Sequence, residues 1–557
     1  MRKAMNHIGS SISMRTLTWI ALLCFGLAHN AFAGVINVPG DQPTIQDGID
    51  AAVNGDEVVV APGAYAEIID LMGKAITVRS SGGAAATTID ATTAPDPGDG
   101  KPVVRCDTGE GPDTVIEGFT LTGGTGDTVL FGLAIGGGML IDSASPTVRD
   151  CIIEDNTADV GGGVFVNSNA SHLILEDCII RDNVALPDVN GGGGGIYLFG
   201  AGATLTGCEV TGNSAGGADG GGLYVNVTAE SITVTDTLFE DDTAVKRGGA
   251  IHTDFLDAEF LIERCVFRSN SCGRGGGAVR VNTDGSIVIA NCAFLDNTAT
   301  GGVTPEGGAA LLSSVAGTLL VNCAFAGNSS DSGGAVQSAS LLDIVNCSFA
   351  NNSSPDGAGL RVGGNGDPVI TNAIFWGNTG SDAIVAPLAD PTLNYCIYEG
   401  GWAGPGGNNL DADPLLVDAA NGDLHVSNGS PAIDSGDSLS AAALLLDATD
   451  LDGYERLADD PATADTGVAL FGVTIDRGPY EFGATAPPVV GACCLGGDCI
   501  VATEDNCTAA AGTFMGEGTA CGDVECPSAA CPADIDGDGD VNTADLLALL
   551  AAWGACP

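Results

Sequence analysis

The sequence predicts an all-β solenoid, with short strands wound into coils of about 27 residues and stacked so that like strands pair in parallel. Three observations predict it. A Cys-x-apolar-x-x-Asn pattern recurs as CIIEDN at 151, CIIRDN at 178, CEVTGN at 208, CVFRSN at 265, CAFLDN at 292, CAFAGN at 323 and CSFANN at 347, with degenerate copies at Thr237, Ala373 and Cys396. An aliphatic residue stands three places before each copy, as at Val148, Leu175, Leu205, Ile262 and Ile289. Between copies a glycine pair leads into an alternating segment, as in GGGVFVN (161–167), GGGLYVN (220–226) and GAGLRVG (357–363).

Each repeat therefore holds three short alternating stretches, one face of each turned inward. Glycines mark the corners, where the backbone needs positive φ or close approach. Stacking puts identical positions about 4.8 Å apart. Cysteines 151, 178, 208, 265, 292, 323 and 347 then form one ladder, Phe267, Phe294, Phe325, Phe349 and Phe375 another, and Asn156, Asn183, Asn213, Asn270, Asn297, Asn328, Asn352 and Asn378 a third. The ladder cysteines read as buried free thiols, because parallel Cβ vectors do not favour a bridge between neighbours.

Composition narrows the function. The 557 residues carry 18 Lys+Arg against 71 Asp+Glu, a formal charge of −53, with 84 glycines and 5% aromatics. Such a chain repels polyphosphate and offers no basic block to release its counterions, which excludes nucleic-acid binding. It equally disfavours an anionic membrane surface. With 45% hydrophobic residues it is not a disordered polyelectrolyte.

The elements follow in chain order. Residues 1–33 read as a secretory signal, with Arg2, Lys3 and Arg15, an apolar run from Leu17 to Ala28, and Ala31-Phe32-Ala33 before Gly34. The mature chain is then expected to be secreted or held at the cell surface, and no later segment is long and apolar enough to span a bilayer. Residues 34–485 hold the solenoid. Residues 486–530 contain six cysteines, at 493, 494, 499, 507, 521 and 526, with few large apolar residues to form a core. In an exported chain that composition reads as a disulfide module of open connectivity, with a zinc site as the weaker alternative.

Residues 531–557 contain Asp534-Ile-Asp536-Gly-Asp538-Gly539-Asp540-Val541-Asn542-Thr-Ala-Asp545. The spacing is that of an EF-hand calcium loop, with side-chain oxygens at Asp534, Asp536, Asp538, Asn542 and Asp545, the backbone of Asp540, and Gly539 at the sharp turn. Ca²⁺ is thus the expected cofactor.

The glycine-pair strands also align into an outward column: Leu140, Phe165, Tyr197, Tyr224, His252, Arg280, Leu311, Gln337 and Arg361. Its aromatic rings suit sugar faces, and Arg280 and Arg361 suit carboxylate or sulfate. Phe165, Tyr197, Tyr224, His252, Arg280 and Arg361 are the carbohydrate-binding candidates. A second outward column supplies Asn167, Asn226, Asp254 and Asn282. A lyase would take its base from Tyr224, His252 or Arg280. A glycoside hydrolase would draw its paired carboxylates from Asp241, Asp242 and Asp254.

The repeats resemble the right-handed parallel β-helix proteins of the pectin-lyase-like fold, and the GG-A-I and F-x-x-N pieces resemble bacterial polymorphic outer-membrane protein repeats. Residues 43–67 resemble that family's N-terminal cap, with Ile45, Ile49 and Ala52 at amphipathic-helix spacing. Residues 413–437 and 450–483 resemble its closing segment. The calcium loop with Asp at position 12, followed by TADLLALLAAWG, resembles one dockerin type I repeat, which implies a cohesin-like or cell-surface partner. Dockerins carry two such repeats and this chain has one. The β-helix family includes lyases, hydrolases and proteins without activity, so catalysis stays open. The reading is a secreted β-helix that binds or processes polysaccharide, acidic polysaccharide included, and assembles through its C-terminal calcium repeat. The alternative is a non-enzymatic adhesin or structural stalk.

Overall fold

The computed structural model describes residues 33–516, apart from 96–99, 129–131, 169, 188–190, 229, 301–306, 315–316, 340, 365, 440–448, 485–489, 496–497, 504–506 and 508–512. The expected signal segment up to residue 32, most of the expected cysteine module and the expected calcium loop at 531–557 lie outside the described residues.

The chain winds a parallel β-solenoid of about 11 turns with coils of about 28 residues. Strands pair with their equivalents in sheets of 15, 13 and 12 members, the three faces that the repeat predicts. A fourth sheet was not anticipated. It stacks seven two-residue strands, from Thr157–Ala158 to Ser329–Ser330, directly after the ladder asparagines. The asparagine bends the chain, and two extended residues fit before the glycine turn bends it again.

Two corners of each coil depend on left-handed backbone rather than on glycine alone. The residue before the ladder cysteine has positive φ in Asp150, Asp177, Arg264, Asn291, Asn322 and Asn346. So does the residue before the ladder asparagine, as Asp155, Asp182, Asp296 and Asn351 show. Asp and Asn tolerate this region because their short polar side chains bond locally.

Inside, the ladders pack one continuous core that includes all seven ladder cysteines, each a buried free thiol. Phe239, Phe267, Phe294, Phe325, Phe349 and Phe375 stack with ring centroids 4.6–5.1 Å apart. Each ladder asparagine from Asn156 to Asn352 donates to the next ladder residue, as Asn270 Nδ2 does to Asn297 Oδ1 at 3.0 Å, and also to a backbone carbonyl, here Phe239 at 3.0 Å. Its own Oδ1 accepts the backbone amide of the preceding ladder residue, so these buried amides are satisfied. Asp242 occupies the ladder place in the degenerate TLFEDD copy and leaves Oδ2 without a partner.

Both ends are closed. At the N-terminus α1 (Ile45–Ala51) buries Ile45 and Ile49 over the first coil, as the amphipathic spacing predicts. Thr44 Oγ1 caps it, accepting the Asp47 amide at 3.0 Å, and Glu67 takes the amides of Ile45 and Gln46 at 3.1 Å each. At the other end two buried arginines bind backbone carbonyls. Arg477 donates to Ser435 at 3.0 Å and to Cys396 of the last coil at 2.9 Å. Arg456 donates to Asp476 at 2.8 Å and Gly478 at 2.6 Å and lies 3.4 Å from Glu481. Beyond the solenoid, Val490–Leu495, Asp498–Thr503 and Thr513–Phe514 form an antiparallel sheet, and Cys493 is bridged to Cys507. None of the described helices is long and apolar enough to cross a membrane.

Candidate functional site

The predicted outward column exists in register. Leu140 pairs with Phe165, then follow Tyr197, Tyr224, His252, Arg280, Leu311, Gln337 and Arg361, all in the 12-stranded sheet. Its rings touch along the axis. Phe165 stacks on Tyr197 at 5.5 Å, Tyr197 meets Tyr224 edge-on at 4.9 Å, and Tyr224 lies 5.1 Å from His252.

The column is not the open sugar platform that the sequence suggests. Phe165, Tyr197 and Tyr224 are buried in a second apolar cluster with Ile135, Leu140 and Val160, and His252 is fully buried. The cause is the glycine turn itself, which folds back over the strand it leads into. Gly220 sits so close to Tyr224 that a Cβ there would fall 2.7 Å from the tyrosine Cβ, and Gly192 of the preceding coil would meet the same ring at 2.3 Å. Outward from the solenoid core is therefore not outward to solvent. Arg361 is apart from this group, paired with Asp356 at 2.5 Å.

The second column is the accessible one. Asp142 pairs in register with Asn167, Asn167 with Phe199, Phe199 with Asn226, and Asn226 with Asp254. All four polar members are partly exposed, and Phe199 is 39% exposed. Asn282 continues the row beyond an irregularity, because the strand Ile251–Leu256 shifts register against Val279–Thr283 between His252 and Leu256. Bulges of this kind re-aim a side chain.

At that bulge three groups of the buried column converge on Asp254. Tyr224 donates its hydroxyl to Oδ2 at 3.1 Å, His252 Nε2 lies 3.1 Å from the same oxygen, and Arg280 Nη1 donates to Oδ1 at 3.4 Å. Asn226 meanwhile donates to the Tyr197 hydroxyl at 2.8 Å. Burial works to raise the Asp254 carboxyl, but His252, Arg280 and the Tyr224 hydroxyl outweigh it and hold the group below the usual carboxylate range. Burial lowers His252, which is neutral at neutral pH, and raises Tyr224, whose phenol stays protonated.

Of the other carboxylate candidates, Asp242 is fully buried in the asparagine ladder, where burial raises it well above its ordinary value, and it cannot face a substrate. Sequence reasoning missed Asp219, which is buried with one unpartnered oxygen and forms with His252 and Asp254 a group of donors within 4.8 Å of one another. No spacing in the sequence links residues on neighbouring coils through a loop, so only the register reveals that trio. Those three are the local set able to hold a metal. A cleft of about 630 Å³ at the N-terminal end, lined by Gln46, Glu67, Asp70, Arg105 and Asp107, was also unforeseen. There Glu67 caps α1 and Arg105 pairs with Asp107 and Asp127.

The profile of a family described as a right handed beta helix region matches residues 72–239 and 255–404. No curated protein matches the sequence. Among solved structures, the catalytic domain of a GH87 alpha-1,3-glucanase in complex with tetrasaccharides is 12% identical, with a TM-score of 0.36 over 68% of this chain and 70% of that one. A mannuronic acid specific polysaccharide family 6 lyase from human gut microbiota is 13% identical, with a TM-score of 0.32 over 68% and 91%. The pectate lyase Pel9A is 11% identical, with a TM-score of 0.31 over 81% and 96%. Likenesses this distant carry nothing about chemistry, which must come from the residues of this chain.

Proposed function

The chain belongs to the right-handed β-helix family, and we propose that it is an exported protein that holds polysaccharide along the row Asp142, Asn167, Phe199, Asn226, Asp254 and Asn282. The observation that carries this reading is the convergence of Tyr224, His252 and Arg280 on the partly exposed Asp254 at a bulge in an otherwise regular ladder. Amides and a fixed carboxylate, repeated at strand spacing beside an exposed aromatic ring, can bond successive hydroxyls of a chain lying along the solenoid axis.

Binding fits this geometry better than catalysis. A glycosidase acid needs a carboxyl with a raised pKa, and that of Asp254 is lowered. A lyase base needs access to substrate, and His252 and Tyr224 are buried. The excess of acidic residues favours a neutral over a polyanionic glycan. The adhesive reading is the one favoured within this proposal, with lyase or hydrolase action second.

At the C-terminus, Asp534, Asp536, Asp538, Asp540, Asn542 and Asp545 are proposed to take up Ca²⁺ and to order a helix that engages a cohesin-like or cell-surface partner. The residue spacing supports this. The deciding experiment screens the purified chain against a panel of neutral and acidic polysaccharides for retention, reducing ends and unsaturated products. Retention without products is expected. Product release would move the assignment to an enzyme, and no retention on any glycan would reject it.

A further inference from the structure

A second group of donors lies in the closing segment, far along the chain from the polar row. Asp434 is 1% exposed with φ of 48°. Its backbone is well used, the amide donating to Asp476 Oδ1 at 2.7 Å and the carbonyl accepting from Thr466 at 2.9 Å. Its side chain is not. Neither Oδ1 nor Oδ2 has a hydrogen-bond partner, and the Asp460 amide approaches without closing a bond of good geometry. A buried carboxylate without donors is unfavourable unless a cation or donor meets it.

Two exposed residues, Asp459 and Asp465, bring one carboxylate oxygen each so that the three oxygens lie within 4.8 Å of one another. The loop between them is shaped by Asp460, whose carboxylate accepts the Ala462 amide at 3.1 Å and the Thr463 hydroxyl at 2.8 Å. The arginines of the closure are committed elsewhere. Arg456 serves Glu481 and the carbonyls of Asp476 and Gly478, and Arg477 those of Ser435 and Cys396. Three converging carboxylates thus face one point, one of them buried with both oxygens unpartnered.

We propose that Asp434, Asp459 and Asp465 bind one Ca²⁺, which clamps the 459–465 loop onto the closing segment of the solenoid. The donors are all hard oxygens, with no imidazole or thiol to favour zinc. Two of the three sit on a surface loop, which suits the adaptable coordination of Ca²⁺ better than the strict octahedron of Mg²⁺. The site joins residues some thirty positions apart, so occupancy ties the end of the chain's closure together and stabilises it by mass action.

The test uses the full-length chain carrying Asp534→Ala and Asp545→Ala, which silences the C-terminal loop. Calorimetric titration with CaCl₂ should show one bound ion per chain, and millimolar Ca²⁺ should raise Tm. Adding Asp459→Asn and Asp465→Asn, both at exposed positions, should weaken that binding at least tenfold and remove the Tm rise, with circular dichroism unchanged. No Ca²⁺ binding by the Asp534→Ala/Asp545→Ala chain would overturn the proposal. So would equal binding after the two Asn substitutions.

Discussion

Tyr224 donates its hydroxyl hydrogen to Asp254 across one rung of the sheet at 3.1 Å. The bond joins a buried ring to a partly exposed carboxylate, and so couples the covered aromatic column to the accessible polar row. Tyr224→Phe keeps the ring packing and deletes one hydrogen bond to a charged group, at a cost of about 1.5 kcal/mol. Tyr224→Ala also empties the ring's place between Tyr197 and His252 and should cost about 3 kcal/mol or more. Urea unfolding of the two variants checks this. Equal, small losses would mean that the column is open to solvent after all.

Asp242 stands in the asparagine ladder with one oxygen unpartnered, and burial raises its carboxyl well above the ordinary value. The native state therefore holds its proton more tightly than the unfolded chain, and the wild type loses stability as pH climbs above about 4 towards the folded value. Asp242→Asn restores a donor where neighbouring coils have one. It should stabilise by about 1–3 kcal/mol at neutral pH, with a smaller gain at pH 4. Thermal melts at both pH values provide the comparison, and a destabilised variant at pH 7 would count against the ladder argument.

His425 lies between Asp423 and Asp452, 2.6 Å from each, with its ring 3.8 Å from that of Tyr480. Burial lowers its pKa, but the two carboxylates outweigh that and raise it. A raised histidine contributes its full stability below the unfolded value of about 6.5 and loses it as pH rises through the folded value. The wild type should therefore lose stability relative to His425→Gln between pH 6 and pH 9. Parallel pH profiles of the two proteins would show that the clamp is inert.

The coil thiols should resist alkylation in the native protein. Burial pushes Cys151 up to about 12 and Cys208 up to about 11, so little thiolate forms and no path leads to it. Iodoacetamide followed by mass spectrometry should label these cysteines only after denaturation. Labelling of Cys178 or Cys265 in the native state would contradict a closed core.

The fold was legible because each coil repeats the same inward residues, so Cys151 and Cys178 already announce a stack. The Asn ladder followed from the same repeat, and α1 from the separate helical spacing of Ile45, Ile49 and Ala52. The four-sided coil was not legible, since two-residue strands such as Thr157–Ala158 leave no alternation to read. Asp150 and Asn291 hold left-handed corners that glycine counting overlooks. In the candidate site the register of Phe165, Tyr197, Tyr224 and His252 was correct and their exposure was not, because alternation separates inside from outside but is blind to a turn folding over the outer face. Asp219 and Asp434 were missed for a related reason. Their partners come from other coils or a distant loop, and only three-dimensional placement joins them.

The row centred on Asp254 is the central claim, and affinity for polysaccharide tests it most directly. Titration of the full chain with the neutral glycan it retains should give saturable binding, and Asp254→Asn with Asn226→Ala should weaken it at least tenfold, about 1.4 kcal/mol. Asp254 anchors Tyr224, His252 and Arg280, and Asn226 the Tyr197 hydroxyl, so the double variant should melt several degrees lower, and affinity is compared well below both melting temperatures. Unchanged affinity in the double variant, with the fold intact, would contradict the account.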